Sequence, residues 1–441
     1  MATSLTDSSL ALLRELIANA CVNDLTADSG NEVRNADTLE RFFAGADVTV
    51  QRFEPHPGRV SIAFTVEGSD PDAEPLTLLG HTDVVPVDED KWTKEPFAAE
   101  EIDGRIYGRG ATDMLYITAA MAAVTREVAL GDTPPRGTLT FVGCADEEAR
   151  GGLGAGWLAE NAPDAFSWKN CLSEEGGSHL PVADDSDAIV VVVGEKGAAQ
   201  RRLTVRGDAG HGSAPYGRES AVALIAEVAR RIAAIEPEVR SDELWENYVR
   251  AFRFDPDTER ELLNGRNYAA LGALARNSHA MSHLTIAPTV LRAGSAINVL
   301  PSTAFLELDI RPLPGHTQDD IDALLRDALG DLADRVEITH LITEDATVSP
   351  AEGPLYEALV DTIGEFFPNV PVVPILSAGG SDLRFGRRKG GVGYGFALHQ
   401  PSSTLGSVLD QLHGHDEYVE VRDVELTTLA YRSVVRRFLG V

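Results

Sequence analysis

A chain of 441 residues exceeds one ordinary hydrophobic core, so two domains are expected. Its 43% hydrophobic and 24% charged content is that of a folded globular protein and excludes a disordered one. The formal charge of −31 excludes nucleic acid as a partner and argues against an anionic membrane surface, since both need a cationic face.

Lysine occurs only at 91, 94, 169, 196 and 389, so nearly all the positive charge is arginine. Cys21, Cys144 and Cys171 form no CxxC pair and no even disulfide set, which reads as reduced thiols in a cytoplasmic protein. The opening Met-Ala-Thr-Ser-Leu-Thr-Asp has neither a basic nor an apolar region, so no secretory signal is expected. The longest apolar run, 188–193, is strand-sized, so no membrane span is expected either.

In chain order, helices are expected at 7–20, 36–45 and 112–130, and strands at 60–66, 76–79, 138–144 and 188–193. That alternation is the signature of a sheet covered by helices, an α/β fold. From about 200 the character changes, with strands at 201–206 and 304–310 and a helix at 219–235. The charged stretch 236–283 fits neither pattern cleanly. After Arg311-Pro312-Leu313-Pro314-Gly315 the alternation resumes, up to a final helix at 422–439. The simplest organisation is an α/β domain in two parts, 1–199 and 316–441, interrupted by a smaller α+β domain at 200–315.

Histidines and acids fall at the ends of these elements. Leu76-Thr77-Leu78-Leu79 leads into Gly80-His81-Thr82-Asp83, at the sheet edge where open α/β sheets place their ligands. The HxD spacing turns both side chains the same way, so Asp83 is a candidate to orient His81. Asp113, in Gly108-Arg109-Gly110-Ala111-Thr112-Asp113-Met114, reads either as a helix cap or as a carboxylate aimed at a metal. The strand 138–144 runs into Asp146-Glu147-Glu148, three acids that repel one another unless solvated or compensated by cations. Glu174-Glu175 and His413-Gly414-His415-Asp416-Glu417 add further acids and imidazoles. Together they supply the nitrogen and oxygen donors that zinc accepts. Gly151–Gly156 lacks GxGxxG spacing and a P-loop lysine, which excludes a nucleotide loop, and no GxSxG elbow marks a serine hydrolase.

In this order the segments resemble the aminoacylase, glutamate carboxypeptidase and succinyl-diaminopimelate desuccinylase superfamily of co-catalytic zinc hydrolases. The resemblance rests on nine segments spanning most of the chain: GHTDVVP at 80–86, KWTKEPF at 91–97, GRGATDM at 108–114, DEE at 146–148, GHGSAP at 210–215, NVLP at 298–301, DIRPLPG at 309–315, GGSD at 379–382 and HGHDE at 413–417. SerGluGluGlyGly at 173–177, GlyGluLysGly at 194–197 and the long insert look most like the carboxypeptidase S and N-fatty-acyl-amino-acid hydrolase branch.

The resemblance implies two divalent metal ions, zinc first with cobalt or manganese as alternatives. Asp113 would bridge both, with His81 and Glu175 (or its neighbour Glu174) completing one site and Glu148 and His413 the other. His413 is preferred to His415 because the family sets its ligand four residues before the glutamate, here Glu417. Glu147 would be the general base for the water between the metals, and Asp83 would hold His81. His211, on the inserted lid or dimerisation domain, would stabilise the oxyanion, reaching across from a partner subunit in dimeric relatives. Asn298 and Arg311 resemble carboxylate-holding residues, and Gly380 and Ser381, with Arg384 nearby, a substrate-facing loop. Relatives commonly carry Lys after the Asp-Met pair; here it is Leu115.

These implications favour a cytoplasmic amidohydrolase acting on a small N-acyl amino acid or peptide with a free carboxylate, as a homodimer through the inserted domain. An aminopeptidase recognising a free amine is the second reading. A silent binding protein is the third, and the intact Glu147 argues against it.

Overall fold

The computed structural model describes residues 4–184 and 186–441. Its centre is a nine-stranded mixed sheet, in the order Thr49–His56, Arg59–Val66, Leu139–Cys144, Leu76–His81, Asn170–Ser173, Val392–Gly395, Ile189–Glu195 and Thr347–Val348. Val372–Ser377 pairs in parallel with Ile189–Glu195. The α/β class expected from the alternation is the class found.

Leu76–His81, Leu139–Cys144 and Ile189–Glu195 are buried at every position. A strand covered on both faces reads as a continuous apolar run, which makes these strands legible in sequence. Neighbouring side chains face opposite layers. Leu78 joins the core with helices Tyr116–Ala129 and Val421–Leu439, whereas Leu79 packs with Ala155–Asn161 and Leu383–Arg388. Leu76–His81 runs parallel to both Leu139–Cys144 and Asn170–Ser173, so His81, Cys144 and Ser173 end on one edge. The acidic turns that follow them are thereby brought together.

A second core gathers the four-stranded antiparallel sheet Thr285–Ala293, Thr303–Arg311, Arg201–Arg206 and Val336–His340. Helices Ala221–Ile232 and Gln318–Leu329 cover one face, and alternating burial along Thr303–Arg311 leaves the other face less covered. The second core does not follow the expected 200–315 bounds: Ile321, Leu325 and Leu329 pack with Leu306 and Leu308, so this core continues past 315 through the strand ending at His340. Trp245, Tyr248 and Phe252 instead pack with Val190, Val192 and Ile375, so Glu243–Ala251 and the helices after it cover the central sheet. Among the described residues no helix is long and apolar enough to cross a membrane.

Truncating Trp245 removes the largest anchor of that segment. Trp245→Ala is expected to cost about 3–5 kcal/mol and to raise hydrogen exchange at Val190, Val192 and Ile375. Faster exchange confined to Arg201–Arg206 and Thr303–Arg311 would place the segment with the lid instead.

Candidate metal centre and active site

His81 closes its strand with its carbonyl fixed by the Thr118 hydroxyl at 2.9 Å. Its Nε2 lies 3.1 Å from Asp113 Oδ1 and 3.5 Å from Glu174 Oε2. The other Asp113 oxygen is 3.2 Å from His413 Nε2, which is itself 3.3 Å from Glu148 Oε2. Two triplets result, His81 with Asp113 and Glu174, and Asp113 with Glu148 and His413, each with donor atoms within 4.8 Å of one another. Asp113 belongs to both.

Two buried braces fix this arrangement. The Glu417 carboxylate accepts the backbone N–H groups of Thr112 at 2.7 Å, Asp113 at 3.1 Å and Gly110 at 3.1 Å, and pairs with Arg109 at 2.6 Å. Gly110 sits at φ +85°, and a Cβ there would lie 2.4 Å from Val84 Cγ1, so only glycine fits this turn. On the opposite side Arg59 binds Glu32 at 2.8 Å and Asp146 at 2.5 Å beneath the turn that carries Glu147 and Glu148. The Asp83 carboxylate accepts the N–H groups of Glu147 at 3.2 Å and Glu148 at 3.1 Å.

The centre holds more negative charge than its own cations balance. Burial raises the carboxyl groups of Glu147, Glu148 and Glu174 above the usual range, and neighbouring acids add to the effect. Burial would raise Asp113 too, but hydrogen bonds from His413 and His81 overcome it and hold Asp113 far below. His413 is pushed up to about 10 by Asp113 and Glu148. His81 is raised as well, since its pairing with Asp113 and Glu174 outweighs burial. Among the described residues Glu148 Oε1 and Glu174 Oε1 have no hydrogen-bond partner and are buried. Imidazole nitrogens, a shared carboxylate and two unmet carboxylate oxygens fit two divalent cations, which would displace the imidazole protons.

Of the two neighbouring glutamates open for the His81 site, Glu174 lies in the triplet and Glu175 does not. Side chains alternate along Asn170–Ser173 and the chain then turns at Glu175 (φ +69°), whose Oε1 accepts the Ser377 hydroxyl at 2.9 Å. The Asp83 carboxylate lies 3.7 Å from the His81 ring, and it is the Asp83 backbone oxygen, at 3.0 Å, that meets Nδ1. Ser381 is turned inward, its hydroxyl donating to Glu195 at 2.6 Å.

Glu147, Arg311 and Gly380 line the cleft with Asp113, Glu148 and His413. His211 and Asn298 do not line it; they lie exposed on the lid ribbon, where Gly212 N donates to Asn298 O at 2.7 Å. Sequence reasoning missed the Glu417 and Arg59 braces. It also missed the cleft cations Arg150, Lys196 and Arg388. For Glu417 the HGHDE segment was the available signal; for Arg59 there was none.

The sequence model of peptidase family M20/M25/M40 matches residues 77–437. The chain belongs to that family and is a metal-dependent hydrolase. It is 29% identical over 391 residues to the N-fatty-acyl-amino acid synthase/hydrolase PM20D1 of Xenopus tropicalis, covering 86% of this chain and 75% of that protein. It is 27% identical over 441 residues to the succinyl-diaminopimelate desuccinylase of Rhodospirillum centenum, covering 98% and 97% of the two. The M20 family metallo-carboxypeptidase Sso-CP2 from Sulfolobus solfataricus shares the fold, with a TM-score of 0.73 at 17% identity over 98% of this chain and 99% of that one.

The neighbouring glutamates give a direct test. Glu174→Gln is expected to lose bound metal, whereas Glu175→Gln keeps it, as read by metal analysis after removal of loosely bound ions. Loss on Glu175→Gln alone would restore the sequence-based assignment.

Proposed function

We propose that this protein hydrolyses the amide bond of N-acyl amino acids or short peptides that carry a free carboxylate. The carrying observation is that Asp113 is shared by the two triplets with Glu147 beside them in one cleft. Two divalent ions, zinc from the mixed nitrogen and oxygen donors, with cobalt or manganese as alternatives, would be held by His81, Asp113 and Glu174 and by Asp113, Glu148 and His413. Bound there, they would polarise the amide carbonyl and lower the pKa of water.

The chain's own groups supply the rest. Glu147, held at its backbone by Asp83, takes a proton from the attacking water as the water oxygen bonds to the amide carbon. It then hands that proton to the nitrogen as the carbon–nitrogen bond breaks. Arg384 Nη1, 3.5 Å from Glu147 Oε1, favours its ionised form. Arg311 lines the cleft, uses its Nε on Asp309 at 2.9 Å, and is the candidate for the substrate carboxylate. His211 and Asn298, on an exposed ribbon with Ile297 and Val299, reach the cleft by lid movement or from a second copy in a homodimer.

A free-amine substrate is the second reading, favoured by the Glu175 carboxylate, which lines the cleft without belonging to either triplet. The test compares N-acyl amino acids, their carboxamides and unblocked dipeptides, with zinc, cobalt or manganese restored. Arg311→Ala should lower kcat/KM about 10–100-fold for carboxylates and leave carboxamides little changed, the loss of a hydrogen bond to a charged group. Equal losses on both, or preference for unblocked amines, would contradict the carboxylate reading.

A further inference from the structure

Lys196 follows the strand Ile189–Glu195 and is only 4% exposed, although it borders the cleft. Its Nζ donates to Ala280 O at 2.9 Å, His283 O at 2.7 Å and Thr285 Oγ1 at 3.0 Å. An ammonium has three N–H groups, so all three are already spent on the protein. All three partners are neutral. Burial, helped by Arg311 and opposed by Asp309, lowers Lys196 from the usual lysine range to about 7. The same contacts hold in either protonation state, because the Thr285 hydroxyl accepts from an ammonium and donates to an amine.

These partners lie where the chain passes from one core to the other. Ala280 and His283 are at the end of the helix Ala275–Ser282, whose Met281 joins the core on the central sheet. Thr285 begins the strand Thr285–Ala293 of the second sheet and pairs directly with Arg311 across the ladder. The chain just after Lys196 holds the other side of the same arginine: Gly197 N donates to Pro312 O at 3.0 Å. The Lys196 backbone is itself fixed to the central sheet, its N–H donating to Ser377 O at 3.2 Å. Asp309 anchors the Arg311 Nε within their own strand, which does not fix that strand relative to the metal centre. Lys196 does.

We infer that Lys196 is a positioning residue: it sets Arg311 in place beside the metal centre by fastening Thr285 to the central sheet, and does not itself take the substrate anion. This rests on the carboxylate reading above, in which Arg311 holds the substrate's free carboxylate. Releasing Nζ for a substrate would break three hydrogen bonds and leave two carbonyls without that donor, which opposes direct binding. Misplacing Arg311 weakens the carboxylate contact in ground and transition states alike, so it raises KM and leaves kcat.

Thr285→Val removes the hydroxyl and keeps the shape, and Thr285 is not among the residues lining the cleft. In the metal-loaded enzyme it is expected to raise KM for an N-acyl amino acid about 3–10-fold, with kcat and bound metal unchanged. The matching carboxamide should show no rise, and Thr285→Ser, which retains the hydroxyl, should behave as the parent. In an Arg311→Ala background Thr285→Val should add nothing, since its effect runs through Arg311. Lys196→Met should raise KM for carboxylates about 10-fold. Should it fail to fold, the Thr285 variants carry the test. A Thr285→Val effect equal on carboxamides, or additive with Arg311→Ala, would overturn this inference and leave the carboxylate reading standing. A silent Thr285→Val would overturn it too, and KM raised in Lys196→Met alone would then mark direct contact with the substrate anion. Arg311→Ala acting equally on carboxylates and carboxamides would overturn both.

Discussion

Acids crowded into a space that water barely reaches are the constraint on which the rest of this structure depends. Asp113, Glu147, Glu148 and Glu174 converge where three parallel strands end, and such groups tolerate one another only if something positive lies between them. The two triplets supply the place for it. Around them, two arginine–glutamate pairs, Arg59 with Glu32 and Arg109 with Glu417, are buried with both partners at or below 3% exposure. Buried pairs of this kind add little net stability, but losing one partner strands the other charge. Their effect here is positional: one holds the turn bearing Glu147 and Glu148, the other the turn bearing Asp113.

The cleft built on that centre has two unlike sides. Arg150, Lys196, Arg311, Arg384 and Arg388 line the cleft, while aliphatic side chains from the central sheet and the helix at 405–409 line the adjoining pocket. The segment at 243–282 packs onto the sheet beneath that apolar side.

Much of this was legible in the sequence, and what was not has physical reasons. Fully buried strands announce themselves as apolar runs, and the ends of Leu76–His81 and Leu139–Cys144 were enough to place His81 and the acidic turn. The choice between Glu174 and Glu175 depended on the residue at which Asn170–Ser173 stops alternating, and a left-handed turn at Glu175 leaves no mark in composition. The further contacts of Asp83 were not legible because spacing shows which way a side chain points, not which backbone groups approach it from Glu147 and Glu148. Glu417 reaches Thr112 and Asp113 across some 305 residues of chain, a pairing that local patterns cannot encode. The packing of two amphipathic segments was not legible for a similar reason: 243–251 packs on the central sheet and 318–329 on the second core, partners that lie far from them in sequence.

The central claim is that adjacent glutamates do different work, Glu147 moving a proton and Glu148 holding a cation. The most direct test measures bound metal and initial rate together for Glu147→Gln and Glu148→Gln. The account predicts that Glu147→Gln keeps its metal and loses about 10²–10⁴-fold or more in rate, since shape is kept and only the proton acceptor goes. Glu148→Gln is predicted to lose metal along with activity. Metal loss in Glu147→Gln with retention in Glu148→Gln, or two variants of unchanged rate, would contradict it.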